Sequence, residues 1–420
     1  METGTAIASL SKAAGGGLPA SRQPASSGST TGPEVTAAGP WFMALIIVSA
    51  LASCLVAILF SDHVFAFPAR VVDAPPEDLV VFHSISDFLE RHSLAAAYDP
   101  DIFRNYLPEG RQAFLWLNPP HAVFFFSPLG ALPYGVAKAI LYAISALAMF
   151  GVCRLSGVKD NAIIAAAVLS PGMLAFAFTT QLGPILALLI IVALTQSKTR
   201  PILAGLAIAV ATIKPQYGLL VPVFLIATGA WRAFAVAAIT SSLLALASVV
   251  CFGFDSWIAF VQSTGLSPTG PGGSPQLFSA TIGQLFAKIG APAGIAIAAQ
   301  LVAIGVAARL IWAAAKTLPL ERAAGLAMIL SLVAAPSAWT YDWAFVMAAI
   351  LMLAKGQHWP LRLQLIAGAA WMAPLAVFLS SPAATPNLAL IALAAALTWR
   401  EFGGFRPSAH TTRTTFSASG

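Results

Sequence analysis

Two ionisable side chains, Asp78 and Lys214, lie where they could act on a substrate. Asp78 directly precedes a predicted amphipathic helix over residues 79–97, in which apolar residues recur every three or four positions. It could cap that helix, or it could be a general base held at a membrane surface. Lys214 follows the uncharged stretch 201–213, and an ionisable residue at membrane depth indicates a functional site by default. Its ammonium could bind an anionic phosphate or extend to the membrane interface.

Four further polar residues lie at helix starts or at breaks between apolar stretches. His121 follows two prolines and could bind a phosphate or simply lie at the membrane interface. Gln181 could hydrogen-bond a ligand or satisfy backbone groups that a helix break leaves free. Tyr341 and Asp342 form a polar island between apolar stretches, where Asp342 could line a site or be a structural carboxylate near a helix end.

Other polar pairs have simple structural interpretations. Asp87 and Arg91 are four residues apart, the spacing of an ion pair on one helix face. Asp99 and Asp101 flank a proline; they could hold a divalent cation, and Asp-Pro also opens many turns. The sequence has no convincing phosphate-binding glycine loop, dinucleotide fingerprint, zinc-ligand spacing or Ser-His-Asp arrangement. A membrane enzyme without a nucleotide-binding fold must take an activated substrate from the lipid phase. We expect no cofactor and no obligatory metal.

The composition identifies the elements that must hold these residues. Hydrophobic residues make up 58% of the 420 residues and charged residues only 9%, whereas soluble domains carry roughly 25% charged residues. The mean hydropathy is +0.83, and apolar residues run in long blocks instead of alternating as in a membrane barrel. The sequence therefore predicts an all-α, polytopic integral membrane protein. It excludes a soluble enzyme, a disordered protein and a secreted disulfide scaffold.

The charges are distributed unevenly. Lysine and arginine outnumber the acidic residues by 22 to 16, but they are scattered, so we expect membrane lipids and no nucleic acid as partners. Nine of the sixteen acidic residues lie between Asp62 and Glu109. A membrane protein that concentrates its carboxylates in one loop is expected to place its chemistry there.

The order of apolar and polar segments predicts the domain organisation. Residues 1–40 are expected to form a disordered cytoplasmic tail. Residues 41–60 are long enough to span the bilayer as a signal anchor, which places loop 61–118 and its catalytic carboxylate outside. The membrane domain extends over residues 41–400 with roughly ten to thirteen spans, and residues 401–420 form a second disordered tail.

Several segments share an order and spacing with a known family: Asp78-Leu-Val-Val-Phe-His-Ser-Ile85, Ala97-Tyr-Asp99, Trp116-Leu-Asn-Pro-Pro120, Phe126-Ser-Pro-Leu-Gly-Ala-Leu-Pro133, Gly205-Leu-Ala-Ile-Ala-Val-Ala-Thr-Ile-Lys-Pro215 and Ala335-Pro-Ser-Ala-Trp-Thr-Tyr-Asp342. Together they resemble glycosyltransferase family 87 over about residues 41–355. Asp78 occupies that family's aspartate position. Gln181 lies where the family usually has Gly-Gln, with Thr180 in place of the glycine. The paired histidines of some members appear here as Tyr341 and Asp342.

The resemblance implies the C-type glycosyltransferase architecture, with amphipathic interfacial helices in the outer loop, and an inverting hexosyltransferase of the bacterial inner (plasma) membrane. The donor would be a polyprenyl-phosphate sugar, with mannose the expected hexose, and the acceptor a lipid or glycan on the periplasmic face. The predicted site then has a base, two donor-phosphate ligands and three substrate ligands: Asp78; Lys214 and His121; Gln181, Tyr341 and Asp342. The alternative function is a multi-pass transporter or flippase for a lipid-linked or small solute. A non-catalytic membrane scaffold is a third possibility.

Overall fold

The computed structural model describes residues 39–111, 114–263, 279–376 and 385–404. Most of both predicted disordered tails lies outside the described residues. Regular structure in the described ranges is helical, and their β structure consists of one isolated antiparallel bridge between Ser279 and Trp339. The prediction of an all-α protein is therefore confirmed.

The α-helices, numbered here in chain order, are α1 (Pro40–Leu59), α2 (Ser61–Val64), α3 (Leu79–Leu89), α4 (Pro100–Tyr106), α5 (Val123–Gly130), α6 (Tyr134–Leu155), α7 (Asn161–Val168), α8 (Pro171–Thr179), α9 (Gly183–Gln196), α10 (Pro201–Ala211), α11 (Pro215–Gly218), α12 (Val221–Thr228), α13 (Trp231–Phe252), α14 (Asp255–Ser263), α15 (Ile282–Lys288), α16 (Ala293–Thr317), α17 (Leu320–Ala334), α18 (Ala344–Ala354), α19 (Leu361–Met372) and α20 (Thr385–Trp399). Short 3-10 turns cover Val71–Asp73, Leu94–Tyr98, Pro120–Ala122, Thr340–Asp342 and Ala373–Leu375, and a π turn covers Arg400–Gly404.

In the part of the chain that the structure describes, five helical stretches are long and apolar enough to cross a membrane: α1, α6, α7 with α8, α13 and α16. Their outer faces carry large apolar side chains, such as Leu243, Leu246 and Val250 of α13, as expected of surfaces that face lipid. Several other apolar helices are shorter, so the roughly ten to thirteen predicted spans would need pairs of them to cross together. That number stays a prediction, while the polytopic membrane character is supported.

Helices α17 and α18 form the most deeply buried part of the fold. All residues of α18 are buried, as are the residues of α17 from Ala323 to Ala334. Small side chains let these two helices approach closely, since a Cβ on Gly325 would lie 3.0 Å from Leu353 Cγ. The chain between the two helices, residues 335–343, is therefore held between rigid elements.

Helix α3 is shorter than the predicted helix over residues 79–97. It ends at Leu89, and the chain then turns until the Ser93 hydroxyl accepts a hydrogen bond from the Ala96 N–H and begins a 3-10 turn. The apolar stripe of α3 is buried in the protein, where Phe82 stacks on Phe126 of α5 with ring centroids 4.2 Å apart. This packing fixes the start of α3, and with it Asp78.

Helices α9 and α18 begin side by side. A Cβ on Gly183 would lie only 2.0 Å from the Tyr341 carbonyl oxygen, so the glycine is required by this close approach of two backbones. Both helices therefore end on the opposite side of the bundle. There Lys355, just after α18, pairs with Glu321 at 3.0 Å, and Arg322 pairs with Glu401.

Basic residues collect at this opposite end, which we call the basic end. Lys355 also lies against Gly157 beyond the end of α6, and Lys198, beyond α9, lies against Gly229. The lysines and arginines next to these contacts at helix ends are Arg154, Lys159, Lys198, Arg200, Arg232, Lys316, Arg322, Lys355, Arg362 and Arg400. The two ends of the bundle thus differ strongly in charge.

Candidate active site

Asp78 lies at the first turn of α3, but it does not act as the helix cap. Its carboxylate makes no capping hydrogen bond. Instead, the backbone N–H of Asp78 donates to the Thr179 carbonyl at 2.9 Å, which ties the start of α3 to the end of α8. The structural interpretation of Asp78 as a cap is therefore not supported, and its carboxylate is free for another role.

Three charged or polar side chains from distant segments face the Asp78 carboxylate. They are Gln181, Lys214 and Asp342, with Glu77 next to it in sequence. Burial raises the pKa of Asp78 to about 6, above the usual aspartate value; Lys214 and the Gln181 hydrogen bond oppose this rise, and Glu77 and Asp342 add to it. A carboxylate that titrates near neutral pH is suited to accept and release a proton.

Lys214 lies at the break between α10 and α11, where Pro215 begins the next helical turn. Its side chain is buried, and the ammonium nitrogen lies 5.0 Å from the centroid of the Tyr341 ring. Among the described residues, no carboxylate lies within the 4.0 Å of an ion pair to Lys214. A buried ammonium whose close partner is an aromatic face can still bind an anion.

Asp342 is fully buried in the turn between α17 and α18. One carboxylate oxygen, Oδ2, accepts hydrogen bonds from the Tyr217 hydroxyl and from the Trp339 N–H, the latter at 3.0 Å. The other oxygen, Oδ1, is buried and has no partner among the described residues. Tyr217 belongs to α11, which begins directly after Lys214. Asp342 therefore also fixes the segment that carries the lysine.

Gln181 lies in the break between α8 and α9, next to the close approach at Gly183. Its amide oxygen accepts a hydrogen bond from the Leu182 N–H at 3.3 Å. This contact leaves the amide N–H groups as donors, and Asp78 is their acceptor. Three helix breaks, each predicted from polar residues in apolar surroundings, thus bring Gln181, Lys214 and Asp342 to one place.

His121 is joined to this cluster through Thr212, two residues before Lys214. Its Nε2 lies 3.0 Å from the Thr212 hydroxyl oxygen. Because that hydroxyl donates its own proton to the Ala209 carbonyl, His121 Nε2 must be the donor to Thr212. The other ring nitrogen, Nδ1, is buried and finds no partner within the described ranges.

The free atom of His121 is therefore a hydrogen-bond acceptor in the neutral ring. Burial lowers the pKa of His121 to about 4, which keeps the ring neutral at pH 7. A neutral Nδ1 accepts a hydrogen bond from a hydroxyl group, whereas a phosphate oxygen needs a donor. The neutral ring thus offers Nδ1 as a hydrogen-bond acceptor, and binding of the donor phosphate by His121 stays a prediction.

A second buried cluster, which the sequence interpretation missed, lies directly beside Asp78. Glu77 and Lys138 form an ion pair of 3.0 Å, and neither side chain is exposed. Tyr134 donates to Glu77 Oε1 at 2.7 Å, and Thr180 donates to Glu77 Oε2 at 2.6 Å. Lys138 also donates to the His63 carbonyl at 3.1 Å. Lys138 lies near the start of a long apolar block, and an ionisable residue at such a position indicates a buried charge that needs a partner.

One of the two aspartates considered as cation ligands, Asp99, has a structural role. Asp99 caps α4 by accepting hydrogen bonds from the Asp101 N–H at 2.9 Å and the Ile102 N–H at 3.3 Å. Within the described ranges, no group of three or more His, Cys, Asp or Glu side chains could hold a metal ion. The site itself combines a buried carboxylate, Asp78, with a buried cation, Lys214.

The sequence profile of glycosyltransferase family 87 matches residues 116–336, about half of the chain. The matched range contains His121, Gln181 and Lys214, while Asp78 precedes it and Asp342 follows it. No curated protein matches the chain, and no solved structure does. With its helical membrane fold and the extent of this match, the chain belongs to glycosyltransferase family 87 and is a membrane glycosyltransferase.

Proposed function

We propose that the protein transfers a hexose from a polyprenyl-phosphate donor to a lipid or glycan acceptor, with inversion, on the periplasmic face of the inner membrane. The observation that carries this proposal is the cluster of Asp78, Lys214 and Asp342. Among the described residues, it combines a carboxylate free of capping contacts with a buried ammonium that has no close carboxylate partner. Mannose, the polyprenyl carrier and the inverting course rest on the family resemblance.

The cluster supplies the two functions that a single displacement needs. The Asp78 carboxylate accepts the proton of the acceptor hydroxyl as its oxygen forms a bond to the anomeric carbon of the sugar. At the same time the bond between that carbon and the phosphate oxygen breaks, and the polyprenyl phosphate leaves with the electron pair. Lys214 stabilises the negative charge that develops on the leaving phosphate.

The remaining residues complete the proposed site. Gln181 holds the Asp78 carboxylate through its amide N–H groups. Asp342 positions Lys214 through Tyr217, and its unpartnered Oδ1 offers an acceptor to a substrate hydroxyl. Tyr341, whose ring lies under the Lys214 ammonium, forms an aromatic wall on the substrate side.

An apolar cavity that is wide open to the surface, with a volume of about 610 Å³, supports a lipid-linked donor. It is lined by the last turns of α13 and by α14, and its walls are mainly apolar, with Leu246, Phe254, Trp257 and Ile258 among them. Trp257 also stacks on His121, with ring centroids 5.8 Å apart, so the cavity adjoins the polar residues of the site. We assign it to the polyprenyl chain, because α13 faces lipid and lets the chain enter from the bilayer.

The charge difference between the two ends of the bundle supports an outward-facing site. Lysine and arginine are enriched on the cytoplasmic side of membrane proteins. The basic end is therefore assigned to the cytoplasm, and Asp78, at the other end, to the periplasm. Reporter fusions at Ser93 and Ala25 are expected to lie in opposite compartments. A cytoplasmic report from Ser93 would contradict the proposed orientation.

The decisive experiment uses purified protein in sealed vesicles with radiolabelled polyprenyl-phosphate mannose and membrane lipid extract. Transfer of the label to a lipid or glycan product, lost in Asp78→Asn, supports the proposal. The same assay with polyprenyl-phosphate glucose tests whether the enzyme prefers mannose to another hexose on the same carrier. Movement of unchanged donor across the bilayer without a product supports the transporter or flippase alternative instead.

A further inference from the structure

Glu77 and Lys138 form a buried charge pair that the proposed chemistry does not use. Each Glu77 carboxylate oxygen is occupied, Oε1 by Tyr134 and Oε2 by Lys138 and Thr180. Lys138 is in turn held by the His63 carbonyl. A carboxylate with every oxygen paired is poorly suited to accept a substrate proton, so Glu77 is not a second base.

We propose that Glu77 and Lys138 are positioning residues. They hold the start of α3 against the break between α8 and α9, and so set the distance between the Asp78 carboxylate and the Gln181 amide. This inference rests on the proposed role of Asp78.

The contacts of Glu77 join the three segments that this role requires. Tyr134 and Lys138 project from the first turns of α6, and Thr180 lies in the break between α8 and α9. The hydrogen bond between Thr180 and Glu77 lies next to two residues of the site, because Asp78 follows Glu77 and Gln181 follows Thr180. The backbone bond from the Asp78 N–H to Thr179 closes the same connection at 2.9 Å.

Thr180 has a backbone conformation that needs this contact. Its φ of 48° lies in the left-handed region, and it is the one non-glycine residue with positive φ among the described residues. A β-branched residue is rare in that conformation. The hydrogen bond of its hydroxyl to the buried Glu77 carboxylate compensates for the strain and fixes the direction in which Gln181 follows.

The first test compares the double variant Glu77→Gln/Lys138→Met with the parent and with Asp78→Asn in one transfer assay. We expect the double variant to fold, because both charges are removed together. Its kcat should fall on the order of 10-fold, since displacement of a reacting group by about 1 Å can lower the rate 10²-fold. The KM for the donor should change little, because Lys214 is untouched.

The pH profile reports whether the Glu77 charge acts on Asp78. Lys214, Gln181, Glu77, Asp342 and Tyr341 are the groups that interact with the Asp78 carboxylate. Loss of the Glu77 charge should move the acid limb of kcat/KM to lower pH. A matched pair at one position gives a second readout: Thr180→Val keeps the shape but loses the hydroxyl and should lower kcat, whereas Thr180→Ser keeps the hydroxyl and should retain most of it.

The outcomes separate this inference from the proposed function. A parental kcat and acid limb in the folded double variant, together with inactive Asp78→Asn, would overturn the positioning role alone. An active, folded Asp78→Asn would overturn the proposed function and the inference with it. If the double variant does not fold, equal kcat values for Thr180→Val and Thr180→Ser would still reject the inference. Glu401→Gln, which breaks an ion pair at the basic end, is the control.

Discussion

Two buried charged clusters meet at adjacent residues of this protein and differ in how completely they are paired. In the closed cluster of Glu77, Lys138, Tyr134 and Thr180, both carboxylate oxygens have partners and the ammonium contacts a carboxylate and a carbonyl. In the open cluster of Asp78, Lys214 and Asp342, one oxygen of Asp342 has no partner in the part of the chain that the structure describes. Within the same part, the lysine has an aromatic ring and no carboxylate within ion-pair distance.

This difference separates a structural role from a functional one. Burying a charge is costly unless its hydrogen bonds are satisfied, so a fully paired cluster can fix a fold. An incompletely paired cluster is retained where a ligand completes it, and perturbed carboxylates concentrate at such sites. Changes in the open cluster should therefore affect turnover, whereas single changes in the closed cluster should affect stability first.

The largest effect is expected for Asp78→Asn. Loss of a general base lowers the rate on the order of 10²–10⁴-fold. Stability at pH 7 should not fall. Because the fold raises the pKa of Asp78, it favours the neutral form, and asparagine removes a charge that opposes folding. Transfer assays and thermal unfolding of the same preparation measure the two effects.

Asp87→Asn is the matched control for this change. Asp87 lies on the same helix, and its carboxylate accepts a hydrogen bond from Tyr106 at 2.5 Å, outside the open cluster. The variant should retain nearly all activity. Full activity of Asp78→Asn combined with loss of activity in Asp87→Asn would transfer the role of base to Asp87.

Lys138→Met is expected to give the largest loss of stability. It leaves the Glu77 carboxylate buried without its cation, and breaking a buried ion pair in this way costs about 3–5 kcal/mol. The double variant Glu77→Gln/Lys138→Met should recover most of that loss. Unfolding in detergent, followed by helical circular dichroism, measures the difference. If Lys138→Met is as stable as the parent, the closed cluster does not stabilise the fold.

Lys214→Gln is expected to lower kcat on the order of 10²–10³-fold, the effect of losing one stabilising contact to a developing negative charge. Lys214→Arg should retain part of the activity, because a planar guanidinium replaces a point charge imperfectly. Lys316→Gln is a close control, since Lys316 also lies over an aromatic ring, that of Trp312, at 5.3 Å but near the basic end. Equal kcat values for the two glutamine variants would exclude Lys214 from the site.

The fold class and the members of the open cluster could be predicted from the sequence for a simple physical reason. Long apolar blocks with few charges have few alternatives to membrane helices. Within such blocks, Lys214 and Asp342 are conspicuous, because an isolated ionisable residue at that depth is energetically costly and indicates a functional site. That the two come together with Asp78 depends on contacts between segments more than a hundred residues apart, which no local pattern encodes.

The closed cluster could not be predicted in the same way. Glu77 is one of nine acidic residues in its loop, and nothing in the local sequence distinguishes it from its neighbours. Its partner Lys138 is 61 residues away on another helix. The sequence also could not predict which ring nitrogen of His121 carries the proton, because this depends on the contact with Thr212, 91 residues away.

The smallest expected effect is a shift in pH dependence. Asp78 must be ionised to accept a proton, and its pKa is raised to about 6, so kcat/KM should fall roughly tenfold per pH unit below pH 6. An ordinary aspartate would keep its activity down to about pH 4. Lys214 lowers the pKa of Asp78, so residual activity of Lys214→Gln should have its acid limb at higher pH. Asp342 raises it, so Asp342→Asn should move the limb to lower pH. Glu401→Gln, far from the open cluster, should leave the limb unchanged, and an acid limb that none of these variants moves would show that Asp78 does not control the rate.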